Sequence, residues 1–153
     1  MAGMTNLEIN NILVSNPITR RVYKGCYPSD KIPKCTKFPC AYVINVDEST
    51  EPGSHWVAIY ALNTSKALYY DSLGKVPPPE IIADHMAKQF KTVEFQYKGI
   101  QNPSSDACGQ YAIFFIYMAA NKIPLRSIHR ILQNTKNPDK FVKDFVRRKI
   151  MII

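Results

Sequence analysis

A single cysteine separates a polar loop from a long apolar run in the last third of the chain. The loop, residues 101–107, contains Pro103, and residues 111–120 have the composition of a buried helix. Cys108 is therefore expected at or near the first turn of that helix, where unpaired backbone N–H groups and the helix dipole favour an anion. Because such a position lowers the pKa of a thiol, the sequence predicts a reactive thiolate at Cys108.

Two other side chains that assist nucleophilic chemistry flank a predicted β-hairpin. His55 begins the apolar strand 55–62, Asp71 ends the strand 66–71, and residues 63–65 form the turn. The outer ends of two such strands meet at one edge of the sheet, so we expect His55 beside Asp71. An aspartate there holds the imidazole in one tautomer while the other ring nitrogen faces a nucleophile. If the Cys108 helix packs against this edge, a Cys-His-Asp arrangement results.

A glutamine on the cysteine loop adds a fourth group, since Gln101 lies seven residues before Cys108. Its side-chain NH2 and the Cys108 backbone N–H could both donate to an oxyanion, and losing one such donor costs roughly 2.7–4 kcal/mol. Three of the four residues also have a structural explanation: Cys108 as a small buried hydrophobe, His55 as a packed ring and Asp71 as a turn former. Their joint order favours a catalytic site, whereas His85 and His129, at helical positions, are expected to be structural.

The remaining hydrophobic patterning predicts one α+β domain over residues 1–153, with a mostly antiparallel central sheet flanked by helices. Thr5 or Asn6 is expected to cap a short first helix, and residues 20–39, rich in proline and turn residues, to form an irregular arm. The predicted strands are 41–47, 55–62, 66–71 and 92–97. Four further helices are predicted: residues 80–90, the helix that begins near Cys108, a helix after Pro124, and a last helix that begins at Asn137 and Pro138.

Composition predicts a globular chain, and the first residues show no export signal. Hydrophobic residues make up 46% of the 153 positions, and residues 1–11 lack the continuous apolar core of a secretory leader. The longest apolar run is about half of what a bilayer span requires. The four cysteines, Cys26, Cys35, Cys40 and Cys108, are predicted to be free thiols rather than two disulfides. Their spacing also disfavours zinc, so no metal is expected.

The net charge of +8 is concentrated in residues 121–153, where nine basic residues face two acidic ones. Such a segment favours polyanions, nucleic acid above all, although a solvated helix face is the alternative. Since no aromatic residues suited to base stacking alternate with these charges, any contact is expected with phosphates. The candidate nucleic-acid-binding residues are Lys140, Lys143, Arg147, Arg148 and Lys149.

Three motifs together resemble the adenovirus-type maturation proteases and, more distantly, the SUMO-specific cysteine proteases of the same clan. They are Gly53-Ser54-His55-Trp56, then Tyr70-Asp71-Ser72-Leu73-Gly74, then Gln101 with Asp106-Ala107-Cys108-Gly109. The likeness runs over about residues 23–120, and Gln-x-Pro-x-Ser-x-x-Cys-Gly is similar to the viral branch. Related enzymes are also encoded by virophages and virus-like DNA transposons.

The resemblance implies a role for each matching residue. Cys108 would be the nucleophile, His55 its base and then acid, Asp71 the orienting carboxylate, and Gln101 part of the oxyanion hole. Trp56 would wall a narrow channel, consistent with cleavage after glycine or another small residue. The implied task is the trimming of capsid and core precursors during virion maturation, inside the virion and the host cell (nucleus or cytoplasmic virus factory), without secretion.

The chain departs from the adenovirus pattern in two ways. Asp71 stands where those enzymes carry Glu, and no cysteine lies between Asp71 and Cys108, so a disulfide-linked peptide activator is not expected. The resemblance also implies DNA as an activator, which the basic C-terminal segment is compatible with, whereas the chemistry itself requires no cofactor. No membrane partner is expected, and we expect a monomer. Two alternatives are an isopeptidase acting on ubiquitin-like tails and a basic nucleic-acid-binding protein on an inactive protease scaffold.

Overall fold

Five strands and five α-helices make up the part of the chain that the computed structural model describes, residues 3–51, 53–96 and 98–151. A short 3-10 turn, Thr19–Arg21, follows the first helix, and a π-helical turn, Val146–Ile150, follows the last. In chain order the elements are α1 (Asn6–Ser15), β1 (Tyr23–Pro28), β2 (Cys40–Asn45), β3 (Trp56–Ala61), β4 (Lys66–Tyr70), α2 (Glu80–Gln89), β5 (Thr92–Phe95), α3 (Cys108–Ala120), α4 (Leu125–Gln133) and α5 (Pro138–Phe145).

The sheet has the strand order β1-β2-β3-β4-β5, with helices on both faces. This confirms the predicted α+β fold. Strands β2, β3 and β4 are antiparallel, but β1 pairs with β2 and β5 with β4 in parallel. The sheet is therefore mixed rather than mostly antiparallel. Each edge strand is joined to its neighbour by a crossover, residues 29–39 on one side and α2 on the other, and parallel pairing requires such a connection.

The prediction of an irregular arm over residues 20–39 is wrong for its first part, because β1 lies there. Gly25 has a φ of +127°, and the pairing register shifts between Tyr23 and Cys26. Such a bulge breaks the alternation by which a strand is recognised in a sequence. Pairing with β2, rather than the local pattern, determines this strand.

The β3 strand is buried on both faces of the sheet, as its continuous apolar sequence predicts. Ala58 and Tyr60 contribute to the core shared with α1, α3, α4 and α5, whereas Val57 and Ile59 contribute to the core that contains α2. Helix α3 packs directly against β3. This packing brings the first residue of α3 to the end of the sheet at which β3 begins.

A disulfide joins Cys35 to Cys40, so the prediction of free thiols is wrong for this pair. Their Cα atoms lie 6.1 Å apart, within the usual range for a disulfide, and both side chains are buried in the core on the α2 side. Cys26 and Cys108 are free. Among the described residues, no helix has the length and apolar character needed to cross a bilayer.

Candidate active site

His55 and Asp71 lie side by side at one end of the sheet. His55 directly precedes β3 and Asp71 directly follows β4, and the pairing of these strands sets Ala58 opposite Tyr70. The imidazole Nε2 of His55 lies 2.6 Å from Oδ1 of Asp71. The juxtaposition expected from the hairpin is therefore present.

The carboxylate of Asp71 is fixed by the turn that follows it. The side chain is buried, and its Oδ1 also accepts the backbone N–H of Leu73 at 2.9 Å. The turn closes through the Gly74 N–H, which donates to the Asp71 backbone carbonyl at 2.8 Å. Gly74 has a φ of +66°, and a Cβ at this position would lie 2.3 Å from the backbone nitrogen of Gly99. Only glycine fits here, so the turn that orients Asp71 depends on Gly74.

Cys108 is the first residue of α3, as predicted, and is 8% exposed. It lines the same cavity as His55. The His55 ring and the backbone N–H groups of Trp56 and Gly109 are the groups that favour its ionised form. Because Asp71 occupies Nε2 of His55, the ring nitrogen left for the sulfur is Nδ1. No side chain caps α3 at Ala107, so the first-turn N–H groups and the helix dipole remain available to stabilise a negative charge.

The environment shifts the pKa values of this pair in opposite directions. Burial lowers the pKa of His55, but its hydrogen bonds to Asp71 and Cys108 outweigh burial and raise that pKa to about 9. Burial raises the pKa of Cys108, but the His55 hydrogen bond and the Trp56 N–H outweigh it, so the thiol pKa is lowered. Charged His55 and ionised Cys108 stabilise each other, so this pair favours a thiolate and an imidazolium.

The other free cysteine shows the contrast. Cys26 is half-buried in β1, and burial raises its pKa to about 12. A thiol with that pKa is protonated at neutral pH and unreactive. Of the two free thiols, only Cys108 has the environment of a nucleophile.

Gln101 is 6% exposed and lines the same cavity as Cys108. Its side-chain Oε1 accepts the hydroxyl hydrogen of Ser72 at 2.6 Å. Its Nε2 donates to the backbone carbonyl of Ser105 at 3.0 Å and lies 3.2 Å from the Ser105 hydroxyl oxygen. The carboxamide is therefore held at both ends. Sequence reasoning places Gln101 near the nucleophile but does not identify Ser72, although Ser72 directly follows Asp71.

The cavity that holds these groups has a volume of about 910 Å³. One wall is made by residues 3–6 of the chain, and Trp56 stands next to them with its indole Nε1 donating to the Met4 carbonyl at 2.9 Å. Met4 also packs on the start of α3, because a Cβ on Gly109 would lie 2.9 Å from the Met4 Cβ. A second cavity of about 210 Å³ shares Trp56 and Asn45 with the first, so the cleft continues past the indole.

The five basic residues singled out in the sequence lie on α5 and the π-helical turn, outside the cavity lining. Three of them are in ion pairs: Lys140 and Arg147 with Asp144 at 2.7 and 3.0 Å, and Lys143 with Asp106 at 2.7 Å. Arg148 and Lys149 are exposed and have no ion pair within the described ranges. Asp106 also lines the cavity, so the basic segment borders the cleft.

His85 and His129 do not line the cavity that contains His55. Burial lowers the pKa of each ring, so both favour the neutral form. This placement agrees with the structural role expected for them.

Residues 22–149 match the sequence model of the Ulp1 protease family, C-terminal catalytic domain. The chain belongs to this family. Ulp1-type enzymes are cysteine proteases, so the sequence-based assignment to a cysteine protease fold related to the SUMO-specific enzymes is confirmed. The finer assignment to the adenovirus-type branch remains a prediction.

Two viral proteins and one solved structure are also similar to this Ulp1-family chain. The cysteine protease of African swine fever virus (isolate Tick/Malawi/Lil 20-1/1983) is 32% identical over 112 residues, covering 63% of this chain and 40% of the viral protein. A protein of Acanthamoeba polyphaga mimivirus, provisionally named a thiol protease, is 26% identical over 151 residues. The match covers 82% of this chain and 50% of the mimivirus protein. The chain thus spans half or less of each relative.

The structural likeness concerns the fold. The central domain of the uncharacterised Lpg1148 protein from Legionella pneumophila is 13% identical, with a TM-score of 0.54, covering 98% of this chain and 97% of that one. At this identity, the shared feature is the arrangement of sheet and helices.

Proposed function

We propose that this Ulp1-family chain is a cysteine peptidase with Cys108 as nucleophile, His55 as base and acid, and Asp71 as the orienting carboxylate. The observation that carries the proposal is the position of the His55 ring, which is bonded to Asp71 at 2.6 Å and shares a cavity with Cys108, whose pKa it lowers. This is the geometry required to activate a thiol and return its proton to a leaving group.

The reaction proceeds in two steps. The Cys108 thiolate attacks the carbon of the scissile carbonyl, a C–S bond forms, and the π electrons move onto oxygen. The C–N bond then breaks as imidazolium His55 gives its Nδ1 proton to the leaving amine. In the second step neutral His55 takes a proton from water, the hydroxide attacks the thioester, and the carboxylic acid leaves from the regenerated thiolate. Asp71 keeps the ring in the required orientation throughout.

The negative oxygen of the intermediate requires donors. The Cys108 backbone N–H, at the start of α3, supplies one. Gln101 supplies the other from Nε2, whose weaker contact at 3.2 Å to the Ser105 hydroxyl is the one that a substrate oxygen would replace. The contact at 3.0 Å to the Ser105 carbonyl remains and holds the amide.

The proposed substrate is a polypeptide with glycine or another small residue before the cleaved bond. Trp56 lines the cleft beside Cys108 and its ring is held by Met4, so the channel there has a fixed wall. Viral capsid and core precursors, processed inside the infected cell or the virion, are the first candidates, because the relatives named as proteases are encoded by viruses.

Deconjugation of a ubiquitin-like protein is the second candidate, favoured by the family match itself. The tail of a ubiquitin-like protein also presents a glycine-type carbonyl in extended chain. The two candidates share the catalytic groups and differ only in what the outer surface recognises.

A comparison of cleavage rates on two substrates separates these candidates. The purified chain is offered, in separate reactions, a viral capsid precursor and a fusion of a ubiquitin-like protein to a reporter, and the initial rates are compared. Cys108→Ala and His55→Ala should abolish both reactions, and Cys26→Ala, which removes the other free thiol, should retain them. Faster cleavage of the fusion would favour deconjugation. Cleavage of either substrate by Cys108→Ala would reject the peptidase assignment.

Nucleic acid is proposed as an activator that the chemistry does not require. Of the five candidate residues on α5 and the π-helical turn, Arg148 and Lys149 are exposed and have no ion pair with a described residue. This part of the chain borders the cleft through the Lys143–Asp106 ion pair. Contacts of this kind would be made with phosphates. The alternative is a nucleic-acid-binding protein without peptidase activity. Cleavage by wild type that is lost in Cys108→Ala would exclude this alternative, and no cleavage by wild type would support it.

A further inference from the structure

We infer that Ser72 is a positioning residue that sets the orientation of the Gln101 carboxamide for oxyanion binding. The inference rests on the proposed function, since it assigns a partner to one of its groups. Ser72 directly follows Asp71 at the end of β4 and is 1% exposed.

Ser72 contacts the cysteine loop through both its backbone and its side chain. Its carbonyl accepts the backbone N–H groups of Ile100 and Gln101, at 2.8 and 3.0 Å. Its hydroxyl donates to Oε1 of Gln101 at 2.6 Å. The backbone contacts fix where Gln101 lies, and the hydroxyl fixes how its side chain is turned.

The direction of the carboxamide decides whether Gln101 can serve a negative oxygen. The Ser105 backbone carbonyl can only accept, so the amide nitrogen faces it, at 3.0 Å. Oε1 then faces Ser72, whose hydroxyl must donate. A carboxamide turned the other way would present an oxygen to the Ser105 carbonyl and to the oxyanion, and both contacts would be repulsive.

Removing the Ser72 hydroxyl leaves Oε1 of Gln101 buried without a donor. A buried acceptor without a donor is unfavourable in free energy. The Gln101 side chain is therefore expected to rotate so that Oε1 reaches another donor or a water molecule. The amide nitrogen would then be out of place for part of the time. The loss affects the stage at which charge develops on the substrate oxygen, while substrate binding and the Cys108–His55 pair remain as they are.

Two adjacent residues therefore position two different groups of the proposed site. Asp71 orients the base through His55, and Ser72 orients the oxyanion donor through Gln101. A single strand end therefore fixes both groups relative to Cys108.

The test is a kinetic comparison of Ser72→Ala with wild type on a fluorogenic glycine-containing peptide. We expect kcat to fall about tenfold with KM unchanged, as for the loss of one well-formed hydrogen bond. The pH dependence of Cys108 alkylation should not move. Ser29→Ala is the matched control, since Ser29 is also buried (2% exposed) but its hydroxyl has no partner; its kcat should equal that of wild type. A Ser72→Ala enzyme with unchanged kcat, or with its loss entirely in KM, would overturn the inference.

A double-mutant cycle identifies the route of the effect. Gln101→Ala alone should lower kcat by about 10²–10³-fold, and Ser72→Ala added to Gln101→Ala should cause no further loss, because its target is gone. Independent, multiplying losses would mean that Ser72 acts elsewhere.

An NMR measurement separates this inference from the peptidase proposal. The side-chain NH2 signals of Gln101, assigned by their absence in Gln101→Ala, should shift or broaden in Ser72→Ala and not in Ser29→Ala. If wild type cleaves no peptide but these signals respond, the proposed function fails and the positioning contact stands. If they do not respond, the positioning inference is wrong whatever the activity.

Discussion

Asp71 binds Nε2 of His55 at 2.6 Å and leaves Nδ1 as the ring nitrogen for Cys108. The relationship follows from the β3–β4 hairpin, whose outer ends carry the two residues. It also explains the opposite pKa shifts, because an imidazolium held by a carboxylate stabilises a thiolate on its other side.

Replacing Asp71 with asparagine removes this charge but keeps the shape. Asp71→Asn should lower the pKa of His55 and weaken the support of the Cys108 thiolate. We expect alkylation of Cys108 by iodoacetamide at pH 7 to slow about tenfold or more, since each unit of pKa changes the ionised fraction by up to about tenfold. The same measurement on Asp84→Asn, an exposed carboxylate on α2, serves as control. Equal rates in Asp71→Asn and wild type would show that the carboxylate does not support the pair.

The pH dependence of cleavage should have an upper limit set by His55. The charged ring is needed to protonate the leaving amine, and its pKa is raised to about 9. We therefore expect kcat/KM to fall as the pH rises through about 9, and to fall at a lower pH in Asp71→Asn. Rates measured between pH 5 and 10.5 test this. A wild-type rate that keeps increasing past pH 10 would contradict it.

The same pKa shift predicts how stability changes with pH. His55 has a folded-state pKa above its ordinary value of 6.5, so its contribution is fully present below about pH 6.5 and is lost as the pH rises through about 9. The difference in free energy of unfolding between wild type and Asp71→Asn should therefore shrink over this window. Urea unfolding at pH 6 and pH 9.5 measures it, and a difference that grows with pH would oppose the assignment.

Gly109 should be intolerant of a side chain. A Cβ at this position would lie 2.9 Å from the Met4 Cβ, so Gly109→Ala must displace Met4, whose carbonyl holds Trp56. We expect catalytic efficiency to fall about tenfold or more, since small displacements near reacting atoms are costly. The double variant Met4→Gly with Gly109→Ala removes the overlap and should recover activity. Failure to recover would place the defect in Gly109 itself rather than in the Met4 contact.

The Cys35–Cys40 disulfide should stabilise the fold without affecting the chemistry. Unfolded, unreduced protein should give two thiols to a thiol reagent and reduced protein four. Replacing both residues with serine should lower the free energy of unfolding by about 2 kcal/mol, from the entropy of a short closed loop. Neither residue lines the cleft, so kcat should be retained. Four titratable thiols before reduction would show that the bridge is absent.

Any activation by DNA should depend on salt. If Arg148 and Lys149 bind phosphates, their replacement with alanine should reduce the slope of log binding constant against log salt by about one per residue. Lys140→Ala with Arg147→Ala is the comparison pair, because both side chains are already paired with Asp144. It should reduce the slope less. Cleavage that responds to DNA equally at low and high salt would exclude this electrostatic route.

The parts of the site that are local in sequence were predictable, and those set by distant packing were not. The pairing of His55 with Asp71 follows from one hairpin, and the place of Cys108 from the boundary between a loop and an apolar helix. The contact of Ser72 with Gln101 joins residues 29 positions apart, and no sequence pattern indicates it. Strand β1 was missed because a bulge at Gly25 hides its alternation. The disulfide was not predictable in this way, because the compartment suggested by a sequence says nothing of the distance between Cys35 and Cys40.

The role of Cys108 as a nucleophile activated by His55 is tested most directly by the site at which a glycine vinyl sulfone peptide labels the protein at pH 7, mapped by mass spectrometry. We expect a single adduct on Cys108 in folded wild type, none on Cys26, and a loss of labelling in His55→Ala. Labelling of Cys26 at a similar rate, or labelling of Cys108 that is as fast in His55→Ala as in wild type, would contradict it.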